Sequence, residues 1–276
     1  GGQPPTGGDN NLTEEYDGSS WTSGGTLTQA RRLLAGAGTQ TAGLAFGGTN
    51  GGPNLNNTEE YNGSSWTAGG VATSGAVNAT EEYDGSSWTA GGNLGSARYS
   101  MAGAGTQTAG LAFGGGSPGN ATEEYNGSSW TNGGTLTTAR KRLGGAGTQT
   151  AALGFGGGPP NLTATEEYNG SSWTTGGNLP ASGGTEYSAG FGTQTAAVNA
   201  GGNGPPGSAS GTTRSELYNG TSWTATESLS VTRRRLAGAG TQPAGMAFGG
   251  DDDGTATNST EEYNNFGPGT ETITTS

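Results

Sequence analysis

The chain has no cysteine, no histidine and a single lysine, Lys141. Without thiols it can form neither disulfides nor thiolate metal sites. Without imidazole a Ser–His–Asp relay is impossible. Long apolar stretches are missing as well. No run of 18 apolar residues and no signal-peptide pattern occurs, so neither a membrane-spanning helix nor membrane insertion is expected. Positive charge is scarce: 10 Lys and Arg stand against 22 Asp and Glu, for a net charge of −12. That balance speaks against nucleic acid and anionic membrane as partners, because phosphate contact requires clustered Lys and Arg. Helix has no support either, since Gly supplies 60 of 276 residues and apolar positions never recur at a 3.6 spacing.

What the chain has in abundance is repetition. One phrase occurs seven times, as TEEYDGSSW at 13–21 and 80–88, TEEYNGSSW at 58–66, 122–130 and 165–173, SELYNGTSW at 215–223, and TEEYNNF at 260–266. Trp21, Trp66, Trp88, Trp130, Trp173 and Trp223 are 45, 22, 42, 43 and 50 residues apart, a period of propeller blades or solenoid units. A second phrase precedes most copies: RRLLAGAGTQTAGLAFGG at 31–48, RYSMAGAGTQTAGLAFGG at 98–115, RKRLGGAGTQTAALGFGG at 140–157 and RRLAGAGTQPAGMAFGG at 234–250, with a worn copy at 185–202. GTQ separates two short runs of small and apolar residues, which predicts two strands with a tight connection. Asn-Gly or Asp-Gly between the Tyr and Trp strands predicts a type I′ hairpin with positive φ at both central residues. Each period is therefore four antiparallel strands, a to d.

A strand ending in Gly-Gly, a variable loop, then Tyr with Trp five residues later resembles the kelch repeat of β-propellers. The matching residues include Gly47, Gly48, Tyr61 and Trp66; Gly114, Gly115, Tyr125 and Trp130; and Gly156, Gly157, Tyr168 and Trp173. The wording of the repeat is also similar to that of kelch-like repeat proteins of marine bacteriophages. The resemblance implies an all-β, kelch-type propeller of four-stranded antiparallel blades, in which Gly-Gly brings the end of strand b near a neighbouring blade. It also implies that the aromatics pack between blades: Tyr16, Trp21, Tyr61, Trp66, Tyr83, Trp88, Tyr125, Trp130, Tyr168, Trp173, Tyr218, Trp223 and Tyr263. Such residues contribute at most about 4–6 kcal/mol each by area. In a chain that is 28% hydrophobic, that ladder is expected to supply most of the core.

Residues 1–276 are expected to form one propeller domain. Seven blades, one degenerate, fit the seven Tyr modules. About half a repeat is missing between Trp66 and Tyr83. Six blades, closed by pairing 232–250 with 10–25 and leaving 257–276 over, is the alternative. Gly1-Gly2 aligns with the end of a strand b and there is no initiator Met, so the chain is expected to start mid-blade, as a processed chain or part of a longer one.

The copies can be compared with one another. The first Glu of each pair is kept in all seven (Glu14, Glu59, Glu81, Glu123, Glu166, Glu216, Glu261), whereas the second becomes Leu217 once. Neighbours on a strand face opposite sides. The kept carboxylate is expected to pair with the Arg opening strand a (Arg31, Arg98, Arg140, Arg233), and the other to be half-buried by its stem. Paired carboxylates also suit acid–base chemistry or calcium, but a catalytic pair would occur once and not in every blade. Asn62, Asn126, Asn169 and Asn219 sit in glycosylation sequons, yet Asp17 and Asp84 replace them elsewhere, which favours a turn role.

Catalysis is not expected. The kelch-fold galactose oxidase uses His, Tyr and a Tyr–Cys cross-link with copper. In the Asp boxes of sialidase-like propellers Trp lies five residues after Asp, whereas here Trp21 lies four after Asp17 and Gly18 follows at once. No cofactor is expected; Asp251, Asp252 and Asp253 form one weak candidate for Ca²⁺, against a plain solvated acidic loop. Length variation is confined to the b–c loops at 49–57, 116–121, 158–164, 203–214 and 251–259. The expected recognition surface is therefore the b–c face, with Asn54, Asn56, Asn161, Asn203, Arg214, Asp251, Asp252 and Asp253 as binding residues. The expected function is a non-enzymatic virion structural or attachment protein, a tail fibre or surface propeller. Its partners would be host-surface carbohydrate or a neighbouring virion subunit, and a homo-oligomer is compatible with this. The alternative is a bacterial cell-surface or matrix adhesin.

Overall fold

A computed structural model describes residues 11–17, 20–24, 26, 35–39, 42–46, 58–61, 66–68, 81–83, 88–90, 92–96, 98–116, 119–180, 186–204, 210–252, 255–256, 259–265 and 271–275. It is an all-β propeller of antiparallel blades, and no helix occurs among the described residues. The chain divides into two compact units, Gly1–Gly133 and Gly134–Ser276.

The first unit holds two four-stranded sheets. One runs Ala35–Thr39, Ala42–Phe46, Thr58–Tyr61, Trp66–Ala68; the other runs Ala102–Thr106, Ala109–Phe113, Thr122–Tyr125, Trp130–Asn132. Two further c–d hairpins, Glu14–Tyr16 with Trp21–Ser23 and Glu81–Tyr83 with Trp88–Ala90, form two-stranded sheets. They are the copies for which the sequence has no complete a–b phrase.

The second unit holds three four-stranded blades. The first is Gly144–Gly147, Ala152–Phe155, Thr165–Tyr168, Trp173–Thr175; the second is Ala189–Thr193, Ala196–Ala200, Ser215–Tyr218, Trp223–Ala225. The third is Ala237–Thr241, Ala244–Phe248, Thr260–Asn265, Glu271–Thr275. This last blade corrects the pairing of 232–250 with 10–25 on which the six-blade alternative rested. Strand Ala244–Phe248 takes 260–265 as its partner, and Ile273 sits opposite Tyr263 where the other copies place Trp. Residues 271–275 were legible as a strand only through their β-branched Ile and Thr.

Most a–b connections are tighter than the sequence suggested: Gly105 and Thr106 still belong to strand a, and the turn is the two residues Gln107 and Thr108, whereas between Gly147 and Ala152 four residues close the hairpin. The c–d connection differs more. Tyr pairs directly with Trp (Tyr125↔Trp130, Tyr168↔Trp173, Tyr218↔Trp223), so four residues close the hairpin, and only the glycine takes positive φ, near 90° at Gly127, Gly170 and Gly220. A type I′ turn is not formed. The asparagine earns its place through its side chain: Oδ1 of Asn169 accepts from Ser171 N at 3.0 Å and Ser172 N at 2.9 Å. Asp17 does the same work on Ser20 N at 2.8 Å, which is why Asp and Asn exchange here.

The core of the second unit lies between consecutive blades. Phe155, Leu153, Tyr218 and Trp223 form one cluster, and Phe191, Val198, Leu229 and Leu236 the next. The aromatics share this core with Leu, Ala and Val, so they are not most of it. Glycine makes the spacing possible: a Cβ on Gly245 would stand 2.1 Å from the Phe191 ring. The Gly-Gly pair meets a neighbouring blade, as the resemblance implied, in the second blade of this unit, where Gly201 packs on Arg233 O and Gly202 N donates to it at 2.9 Å; in the other two the second glycine packs on its own blade, Gly157 on Lys141 O and Gly250 on Arg234 O.

Candidate functional site

The kept Glu and the Arg opening strand a meet in each blade where both are described. Arg98 reaches Glu123 at 2.8 Å and Arg233 reaches Glu261 at 2.5 Å; Arg140 pairs with Glu166. The guanidinium side chains are 0% exposed, and the other carboxylate oxygen takes a d–a loop N–H, from Gly95, Thr137 or Ser230. Arg Nη1 also donates to two carbonyls at the b–c loop ends, as Arg98 does to Gly114 O at 2.9 Å and Ala121 O at 2.8 Å. Burial lowers the pKa of all three guanidinium groups, and the paired carboxylate opposes that shift. Arg31 lies outside the described residues.

The face carrying the a–b and c–d turns is occupied by contacts between blades. Gln194 donates to Ala152 O at 3.0 Å and Tyr168 O at 2.6 Å of the preceding blade, and Gln242 donates to Ala197 O at 3.1 Å and Tyr218 O at 2.8 Å. Trp223 Nε1 donates to Thr165 Oγ1 at 2.9 Å and its ring meets Phe155 edge-on at 4.8 Å. Tyr218 donates to Glu167. Tyr125, Tyr168, Tyr218 and Tyr263 are buried, Trp173 and Trp223 are buried, and Tyr16, Trp21 and Trp130 are half-buried. Tyr61, Trp66, Tyr83 and Trp88 occupy paired strand positions.

The opposite face, formed by b–c and d–a loops, carries a charged rim in the second unit. Arg142 pairs with Glu186 at 2.9 Å. Asp251 accepts from Arg234 at 3.1 Å and from Arg235 at 2.9 Å. Tyr187 joins the two groups: the guanidinium carbons of Arg142 and Arg235 stand 4.9 and 5.1 Å from its ring centroid. A backbone ladder fixes the same three residues, with Tyr187 N on Arg142 O at 3.0 Å and Arg235 N on Tyr187 O at 2.8 Å.

The residues expected on this face are distributed unevenly. Asn203 donates its N–H to Glu186 O at 2.8 Å, and its own amide oxygen is buried without a partner. Asn161 Nδ2 reaches Gly204 O at 3.1 Å, so b–c loops of two blades touch. Asp251 lies in the rim with both oxygens held by arginine, an arrangement that suits a salt bridge and not a calcium ligand. Residues 251–252 pair with 255–256 as a small hairpin in place of an open loop. Arg214 pairs with Glu216, whose other oxygen accepts from Asn199 at 2.8 Å, so that it stands in for the strand-a arginine that its blade lacks. Asn54, Asn56 and Asp253 lie outside the described residues, as does the side chain of Asp252. Sequence reasoning did not single out Arg142, Glu186, Tyr187 or Arg235. Their only signal was a run of cations at 140–142 and 233–235 in a chain with 10 Lys and Arg.

No protein-family model matches the chain, and no curated protein does. Among solved structures 186 chains are similar, so the fold is a widely used one. One is the structure of YjhT, with a TM-score of 0.70 and 12% identity over 98% of this chain and 92% of that one. At that identity the likeness speaks to the fold, over essentially its whole length.

Proposed function

We propose that this chain is a non-enzymatic, kelch-type propeller of seven blades, and that it serves as a virion structural or attachment protein binding host-surface glycan through its b–c face. One observation carries the reading: the two faces are used differently. In the second unit the a–b turns latch two blades onto the ones before them, through Gln194 and Gln242, and the c–d hairpins are closed on themselves by asparagine. The b–c face instead carries the loops of unequal length and the Arg–Tyr–Arg rim. Absence of His and Cys supports a binding role over galactose-oxidase-like or Ser–His–Asp chemistry. Seven Glu–Tyr strands, each paired with a following strand, support the blade count.

The test is mass spectrometry of purified phage particles and of cell-envelope fractions from the source, scoring the AGAGTQTAGLAFGG peptides. A fixed copy number per particle is expected. Recovery in the envelope or matrix fraction alone would replace the virion role with an adhesin.

A further inference from the structure

Ser100, Arg142, Tyr187 and Arg235 occupy the same place in four copies, and each is left-handed, with φ of 53°, 61°, 61° and 56°. That conformation is strained for an L side chain, and glycine avoids the strain. The chain does not lack glycine: the b-strand ends and the hairpins all use it at positive φ. Here a side chain is kept against that preference, and it differs from copy to copy, so the shared blade geometry does not require any one of them. Strain of this kind collects where side chains serve a purpose other than folding.

Three of the four converge on the rim of the second unit. Of the eight described Lys and Arg side chains, Arg98, Arg140, Arg214 and Arg233 are committed to glutamates inside blades, and the other four, Lys141, Arg142, Arg234 and Arg235, gather here. Glu186 and Asp251, 6% and 13% exposed, hold Arg142 and Arg235 in place, while those two guanidinium side chains remain 31% and 38% exposed. Each of the two spends a single N–H on its carboxylate, and a guanidinium has five. The result is two forked donors partly open to solvent, oriented by Tyr187 and by the carboxylates of Glu186 and Asp251.

We propose that Arg142, Tyr187 and Arg235, flanked by Lys141 and Arg234, form a binding site for an anionic saccharide, a glycan bearing carboxylate or sulfate groups. This rests on the glycan-binding reading above and assigns its residues. A net charge of −12 repels a dense polyanion such as nucleic acid, whereas a small cationic rim suits widely spaced charges. A peptide anchor finds no large exposed apolar side chain in this cluster. Bidentate guanidinium recognition fits both carboxylate and sulfate.

The experiment is calorimetric titration of the full chain with oligogalacturonate, dextran sulfate, neutral dextran and polyglutamate, at low and physiological salt. Binding of at least one anionic saccharide is expected, weakening as salt rises, and the comparison of the two shows which anion is preferred. Arg235→Gly should weaken it by about tenfold. Its thermal midpoint should hold or rise, because Asp251 keeps Arg234 and the left-handed position becomes glycine. Arg235→Lys should retain part of the affinity. Equal binding of neutral dextran or polyglutamate, unchanged affinity in Arg235→Gly, or no binding of either anionic saccharide would overturn the site. Particle mass spectrometry judges the virion role separately: a chain absent from particles that still binds oligogalacturonate through Arg235 leaves this site standing.

Discussion

The hydroxyl of Tyr218 donates to the carboxylate of Glu167 in the preceding blade, and at the next interface Tyr263 instead faces Thr226 Oγ1 at 3.5 Å. The two solutions come as sets. Where Glu167 accepts, Gly176 leaves room, since a Cβ there would stand 2.9 Å from the Tyr218 hydroxyl; where Leu217 replaces the Glu, Thr226 fills the glycine's place. Glu167→Leu alone should cost about 1–3 kcal/mol by removing the acceptor of a partly buried hydroxyl. Adding Gly176→Thr should recover much of it, as measured by urea denaturation of the single and double variants.

The same hydroxyl sets an alkaline limit. Burial first, and then the hydrogen bond to Glu167, push the Tyr218 pKa from 10.0 up to about 12. The folded state therefore holds this proton where the unfolded chain has released it, and stability falls as pH rises from 10.0 to about 12. Denaturation midpoints measured across that window should decline, and Tyr218→Phe should flatten this part of the decline.

Arg140→Met leaves the buried Glu166 carboxylate without its cation, with only the Thr137 N–H to hold it, and should cost about 3–5 kcal/mol. Arg140→Met with Glu166→Leu should cost less than the single change. Equilibrium denaturation of both variants checks the order. A single variant as stable as the parent would mean that the Arg140 pair does not hold its blade in register.

Gln242 bridges two carbonyls of the preceding blade. Gln242→Ala should lower stability by about 1–3 kcal/mol, and Gln242→Glu by at least as much, since it trades the donor for an acceptor. Thermal unfolding followed by circular dichroism reads both.

Asn169→Asp should be close to neutral because the oxygen that accepts from Ser171 and Ser172 remains, as Asp17 illustrates. Asn169→Ala should cost about 1 kcal/mol. Hydrogen exchange at Ser171 and Ser172 N–H should rise only in the alanine variant.

What could be read from the sequence was whatever the copies repeat. The Arg–Glu pairs were legible because Arg98, Arg140 and Arg233 recur at one offset from their glutamates, and the strands were legible from alternation and Gly-rich breaks. Two kinds of feature escaped. The turn glutamine is equally constant, but a turn residue that reaches into another blade, as Gln194 and Gln242 do, has no local signature, so its constancy read as monotony. The rim escaped for the opposite reason: Ser100, Arg142, Tyr187 and Arg235 share a backbone conformation but no single residue type. Arg214 looked like a loop cation because its substitution for a missing strand-a arginine shows only when Glu216 and Asn199 are placed beside it.

In the second unit, the turn glutamine, the c-strand tyrosine and the d-strand tryptophan of the middle blade all donate backwards, to groups in the blade made before it. Such a module carries its plug on one side and its socket on the other. Copying one repeat adds a plug and a socket together, so the new copy meets neighbours it already fits. A protein joined this way can lengthen by tandem duplication of its own coding sequence, and it need invent no new interface to do so.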